Sequence, residues 1–191
     1  VFRDVHSHGS FAANTKLVEF DSKDALKAYA CAGTWITNSR LRDFIVPRSG
    51  QQYIQCWHGT PFKKIGCDIE AGGNATSSVD EIHKEYMNEA LRVTKMISPS
   101  AFCTSKLISA FALDKISKEN IIIQKGYPRN DALFCLTDEK IQSIKDKLNT
   151  ADKRVILYCP TFRDNQFDEH GYTLDMKLDF SQLLDQLDEN T

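Results

Sequence analysis

The sequence has no apolar run approaching the ~20 residues that a membrane-spanning helix requires. It has no surplus of positive charge either: 24 Lys and Arg stand against 26 Asp and Glu, a formal net charge of −2. The strongly basic footprint of a nucleic-acid binder is therefore missing, although a local basic patch can still recognise phosphate. The six cysteines, at 31, 56, 67, 103, 135 and 159, form no CxxC pair and no Cys/His group at zinc spacing. A disulfide framework and a structural zinc site are both excluded, leaving reduced thiols packed in the core of a cytosolic protein as the expectation. The opening VFRDVHSHGS carries charges where a secretory signal would be apolar, so a soluble protein, or one touching a membrane only at its surface, is expected. No internal repeat is visible.

What is present is an alternation of short apolar runs with helical patterns. LVEF (17–20), GTWIT (33–37), YIQCW (53–57), KMIS (95–98), IIIQKG (121–126) and RVILYCP (154–160) read as strands, rich in β-formers. Between them, Asp21 or Ser22 can cap a helix over 23–32. Ser78 can cap VDEIHKEYMNEALRV, whose first turn is acidic. Further helices are expected from SPSAF to about 113, over 137–148 and over 178–187. Such alternation predicts βαβ units, an α/β fold with a Rossmann-like, mostly parallel sheet flanked by helices. KLNTADKR (147–154) reads as a polar linker, which divides the chain into a first domain over 1–150 and the start of a second over 151–191.

In parallel sheets, ligands bind beyond the carboxyl ends of the strands. There the polar clusters fall: TNSR after 33–37, HGTP after 53–57, SPS after 95–98, GYPRND after 121–125 and PTFRD after 155–159. The segment QCWHGTPFKKIGCD (55–68) is the densest, with a histidine, a Gly-Thr-Pro turn and two adjacent lysines. A strand, a sharp turn and a cationic mouth suit an anion. Histidine is the side chain suited to proton transfer near neutral pH, so His58 can take a hydroxyl proton as general base, or can simply hydrogen-bond the turn. Gly59 lets backbone approach phosphates. Thr60 can bond a phosphate oxygen or cap the next turn. Lys63 and Lys64 can neutralise phosphates or end a solvated loop. Arg40 and Arg129 can grip phosphate bidentately or pair with Asp43 and Asp131. Asp68 can orient a lysine or His58, or merely form a turn. Trp57 is expected to pack on the sheet rather than stack on a base, and His6, His8, His83 and His170 to lie at the surface or the termini. No carboxylate cluster suits a dedicated metal cage, so the one metal admitted is Mg²⁺ carried in by a substrate diphosphate.

These motifs in this order resemble the CDP-glycerol glycerophosphotransferase family of teichoic-acid and capsule polymerases. The matching residues are TNSR (37–40), Gln55 with WHGTPFKKIGCD (57–68), SPS (98–100), GYPRND (126–131) and YCPTFRD (158–164). The resemblance covers roughly residues 16 to 180. It implies a GT-B architecture, of which this chain matches the N-terminal, acceptor-side domain and the entry to the nucleotide-donor domain. The family's downstream histidine and serine-rich CDP-binding segment have no counterpart here, so a chain that binds acceptor without catalysing is one alternative, and a nucleotide-sugar glycosyltransferase is another.

The activity implied is transfer of glycerol phosphate, or a similar polyol phosphate, from a CDP-activated donor to a polymer hydroxyl, with release of CMP. The resemblance makes His58 the base. It places Arg163 near the donor, with Asp164 as its structural partner. It also implies a prenyl-diphosphate-linked acceptor at the cytoplasmic face of the membrane.

Overall fold

The computed structural model describes residues 11–71, 77–160, 167–168, 171–172 and 178–187. They belong to two compact units, Val1–Tyr127 and Pro128–Thr191. The last strand of the first sheet ends at Gln124, three residues before the first unit does.

The first unit is a four-stranded, wholly parallel sheet in the order β1 (Thr34–Thr37), β2 (Gln52–Gln55), β3 (Lys95–Ser98) and β4 (Ile122–Gln124). Register pairs Trp35 with Tyr53, Gln55 with Met96 and Ser98 with Gln124. Four expected strands therefore form: KMIS as expected, GTWIT from Thr34, YIQCW shifted to Gln52–Gln55, and the IIIQKG run limited to Ile122–Gln124. The expected strand at LVEF is reduced to a single bridge residue, Glu19, and among the described residues it is no strand of the four-stranded sheet; α1 (Lys23–Cys31) follows, capped by Ser22, whose hydroxyl accepts from Ala25 N. α2 (Val79–Arg92) begins at a full capping box, Ser78 accepting from Glu81 N while Glu81 accepts from Ser78 N. α3 (Ala101–Ala110) begins at Ser100.

Strand residues alternate between two environments. One face carries Trp35, Tyr53, Gln55, Met96 and Ser98, all buried. The core there is completed by Tyr86, Ala90 and Val93 around α2 and by Leu107, Ala110, Phe111 and Leu113 around α3. The opposite face is more open, with Ile36 of β1 exposed. Trp57 belongs to the core as expected, its ring edge-on to Phe111 at 5.2 Å and to Tyr86 at 5.7 Å.

Cysteine burial departs from expectation. All six are free thiols, but Cys103 alone is fully buried, while Cys31, Cys135 and Cys159 are exposed. Cys31 ends an amphipathic helix that buries only Ala25, so its thiol has no core to enter.

The second unit contains a one-turn helix at Pro128–Asn130, α4 (Asp131–Phe134), α5 (Asp138–Leu148) capped by Thr137, the antiparallel pair β5 (Phe167–Asp168) and β6 (Gly171–Tyr172), and α6 (Phe180–Leu184). RVILYCP forms no strand here: among the described residues, 154–160 have no ladder partner, and Val155, Ile156 and Leu157 are exposed. A strand needs a neighbour for its backbone groups, and β propensity alone supplies none. The helix expected over 178–187 is shortened to Phe180–Leu184. Among the described residues no helix is long and apolar enough to cross a membrane.

Candidate functional site

The loops that follow β1 and β2 meet at the carboxyl edge of the sheet. Strand β2 ends at Gln55, Cys56 N still donates to Thr37 O at 2.7 Å, and Trp57 then turns the chain with a left-handed φ of 50°. A non-glycine residue seldom adopts that conformation, so the surroundings must hold it. Two contacts do so: the buried indole, and Trp57 N–H, which donates to the Gln55 side-chain oxygen at 2.9 Å. The turn delivers His58 to the surface, its ring 4.2 Å from the indole and inclined by 30°.

His58 Nδ1 lies 2.8 Å from the carbonyl oxygen of Asn38, in the loop after β1. A carbonyl only accepts, so Nδ1 carries the proton, and the neutral ring has its lone pair on Nε2. The geometry thus selects the tautomer in which the remote nitrogen is the base. A ring stacked on a tryptophan and tied to a carbonyl is oriented before any substrate arrives.

Beneath these loops lies a buried polar network. Glu89 of α2, fully buried, accepts from Tyr53 OH and from Gln55 Nε2 at 2.9 Å, and pairs with Arg92 at 2.7 Å. Gln55 Nε2 also donates to Ser39 O at 3.1 Å. Arg92 donates to the carbonyls of Leu41 (3.0 Å), Arg42 (2.7 Å) and Ile45 (2.9 Å). Burial, together with the Glu89 charge, raises the Tyr53 pKa, which keeps its phenol a donor. A fully paired buried network of this kind is rigid, whereas a half-paired one would be costly.

The same stripe of α2 meets the rest of the first loop. Arg40 lies over the Tyr86 ring at 4.4 Å and pairs with Glu85 at 2.8 Å, and Asn88 donates to Asp43 at 2.9 Å. Of the alternatives for Arg40, an internal ion pair is the one observed, with Glu85 rather than Asp43 as partner. Among residues the sequence did not single out, Asn38, Glu89 and Arg92 matter most. Asn38 lay within TNSR, and the signal for Glu89 and Arg92 was the spacing 85, 88, 89, 92, which puts four polar side chains on one face of a helix.

Downstream of His58, Gly59 and Thr60 are half-buried, and Phe62 N donates to Thr60 O at 2.9 Å, a tight turn. Lys63 and Lys64 line a cavity of about 400 Å³ with Phe62, Phe102 and Lys106. Lys64 is engaged by Glu70 at 2.6 Å, an exposed pair that lowers the Glu70 pKa. Asp68 touches neither a lysine nor His58. It closes a one-turn helix, Gly66–Asp68, and accepts from Ser109. His83, expected at the surface, is half-buried and bonds Ile69 O at 2.8 Å, tying the end of this segment to α2. Among the described residues no cluster of His, Cys, Asp and Glu could hold a metal ion.

Arg129 is exposed in the one-turn helix of the second unit, and Asp131 opens α4 beside it. Arg163 and Asp164, with His6, His8 and His170, lie outside the described residues. The structure therefore brings His58 against the loop after β1 at the carboxyl edge of the first sheet, holds Arg40 against α2, and sets Lys63, Lys64 and Asp68 in a cavity along α3 with Phe102, Lys106 and Ser109.

Comparisons with known proteins agree on one family. The model of the CDP-Glycerol:Poly(glycerophosphate) glycerophosphotransferase family matches residues 1–191. The teichoic acid poly(glycerol phosphate) polymerase of Bacillus subtilis (strain 168) is 39% identical over 165 residues, 85% of this chain and 21% of the relative. That of Bacillus spizizenii is 38% identical over 161 residues, 83% of this chain and 40% of the relative. The solved wall teichoic acid polymerase TagF superposes with a TM-score of 0.83 at 30% identity, covering 97% of this chain and 45% of that one. A TagF variant soaked with CDPG superposes with a TM-score of 0.78 at 32% identity, covering 91% of this chain and 42% of that one. The chain thus spans less than half the length of each of these relatives.

Proposed function

We propose a function from one premise: the chain belongs to the CDP-glycerol:poly(glycerophosphate) glycerophosphotransferase family. The protein transfers glycerol phosphate, or a closely related polyol phosphate, from a CDP-activated donor to a hydroxyl of a growing teichoic-acid or capsular polymer. CMP is the leaving group.

The observation that carries this reading is the contact between His58 Nδ1 and Asn38 O. With Nδ1–H held by Asn38 O, Nε2 is the basic nitrogen of an exposed ring at the carboxyl edge of a parallel sheet. Nε2 takes the proton of the acceptor hydroxyl. The oxygen attacks the phosphorus that bears glycerol, and the bond from that phosphorus to the oxygen of CMP breaks in line. The proton ends on His58, and CMP leaves with the electron pair of the broken bond.

Charge on the transferring phosphoryl oxygens must be met by cations and backbone N–H groups. In the first unit Lys63 and Lys64 suit that task, with Gly59 and Thr60 admitting close approach. Arg40, already paired, holds the first loop, and Asp68 braces the second. On the resemblance of their motifs, Arg129 and Arg163 are assigned to phosphate binding, with Asp131 and Asp164 as supporting residues. This assignment makes 1–150 the acceptor-side domain of a GT-B architecture and 151–191 the entry to its donor domain. Any Mg²⁺ arrives with the donor diphosphate. The acceptor is prenyl-diphosphate-linked, and the protein works peripherally at the cytoplasmic face of the membrane.

The test is calorimetry followed by turnover in the intact protein. Binding of CDP-glycerol, with CMP released on adding polymer acceptor, is expected. Preference for a nucleotide sugar would replace the reading with a glycosyltransferase, and failure to bind any cytidine nucleotide would replace it with an acceptor-binding domain.

A further inference from the structure

Between Asn38 and His58 lies a side chain that touches both of their loops. Gln55 donates through Nε2 to Ser39 O at 3.1 Å, one residue from Asn38. Through its side-chain oxygen it accepts from Trp57 N at 2.9 Å, one residue from His58. Its amide has one workable orientation. Ser39 O and Glu89 Oε1 are both acceptors and must face the NH₂, while Trp57 N–H is a donor and must face the oxygen. Glu89 is itself immobile, being fully buried and held by Arg92 and Tyr53.

We propose that Gln55 is a positioning residue for the phosphotransfer, locking the loop after β1 to the loop after β2 so that Asn38 O selects the Nδ1–H tautomer of His58. The proposal rests on the reading of His58 as general base. Two neighbouring main-chain groups, one on each side of the His58–Asn38 contact, hang on the same amide. Trp57 adds a second reason. Its left-handed backbone carries the indole beneath the imidazole, and Gln55 bonds the N–H of that residue. Without the amide, neither the turn nor the loop opposite has this buried anchor. The His58 ring then leaves Asn38, protonates at Nε2 for part of the time, and loses its base there.

Gln55 is 0% exposed and its register partner is Met96, so it cannot contact substrate directly. Its effect on rate must pass through His58, which sets the form of the test.

The experiment compares Gln55→Met and Gln55→Asn with wild type and with Thr94→Val. Met keeps the volume without the hydrogen bonds, and Asn keeps the amide but is one methylene short of spanning both loops. Thr94 bonds Tyr53 N at 2.8 Å and Tyr53 O at 3.0 Å, so its loss weakens the β2–β3 junction without touching either active loop. Two readouts are taken: the imidazole ¹⁵N resonances of His58, which report the tautomer, and kcat and KM for CMP release from CDP-glycerol in the intact protein.

In wild type the resonances are those of an Nδ1–H ring. In both Gln55 variants the Nε2–H form appears and kcat falls about 100-fold with KM nearly unchanged. Thr94→Val keeps the wild-type tautomer and kcat despite a lower Tm. The proposal is overturned if a folded Gln55 variant keeps wild-type tautomer and kcat, if Thr94→Val loses kcat to the same degree, or if neither Gln55 variant folds, which would make the residue structural alone. A tautomer change with undiminished CMP release would sustain the hold of Gln55 on the ring and instead remove His58 from the chemistry.

Discussion

His58 Nδ1 and the carbonyl oxygen of Asn38 lie 2.8 Å apart across a gap of 20 residues in sequence. They meet because β1 and β2 are parallel neighbours in register, Thr37 opposite Gln55, so the residues just beyond each strand emerge side by side. One backbone acceptor then decides which imidazole nitrogen is basic.

The pairing of Glu89 with Arg92 is the structural linchpin of both loops, and its loss should be severe. Replacing Glu89 by Leu leaves the Arg92 guanidinium, 8% exposed, without its buried counter-charge. The expected cost is about 3–5 kcal/mol, read as a lower urea midpoint. A change below about 1 kcal/mol would show that the four carbonyls around Arg92, with Asp43 at 3.6 Å, suffice without Glu89.

Gly66 opens the one-turn helix before Asp68 at a φ of 54°, and a Cβ there would overlap the Tyr86 ring and the Ala110 carbonyl oxygen. Gly66→Ala should therefore destabilise by about 1–3 kcal/mol from overpacking, beyond about 1 kcal/mol for the left-handed backbone. Thermal unfolding measures it. Gly59, by contrast, has open space where a Cβ would stand, so Gly59→Ala should leave stability nearly unchanged.

Alkaline stability follows from Tyr53. Its pKa is raised above the ordinary value of 10.0, by burial first and then by Glu89. In the window above pH 10 the unfolded chain releases this proton while the folded protein retains it, so stability declines as pH rises there. The contribution is intact below pH 10. Tyr53→Phe should be less stable near neutrality yet show a shallower alkaline decline, measured by urea unfolding between pH 9 and 11. Equal slopes in the two proteins would contradict the linkage.

Most of the first unit was legible in the sequence. The capping serines at 22, 78 and 100 and the apolar runs marked helices and strands within a few residues, since both signals are local. Two strands were misread. LVEF and RVILYCP have strand composition, but pairing depends on neighbours that composition cannot specify. In the site, His58 and the lysines announced themselves by residue type. Glu89 and Arg92 did not, because a charged helix reads as solvated until the loop that covers it is placed. Arg40 shows the same limit, its partner Glu85 lying on that helix rather than nearby in sequence.

The two adjacent lysines should differ in kinetics. Lys64 is already engaged by Glu70, and Lys63 lines the same cavity with Lys106. Lys63→Ala should raise KM for CDP-glycerol about tenfold, in line with a charged hydrogen bond worth roughly 1.5–3 kcal/mol. Lys64→Ala should do less, and Glu70→Gln should lower KM by releasing Lys64. Steady-state kinetics at fixed salt decide, since exposed charges are screened.

The most direct test is the rate of CMP formation from CDP-glycerol and polymer acceptor by the intact protein and its His58→Ala variant. A base held in the reactive tautomer predicts a fall of about 10²–10⁴ in kcat with donor binding preserved. A variant that releases CMP at the wild-type rate would contradict it.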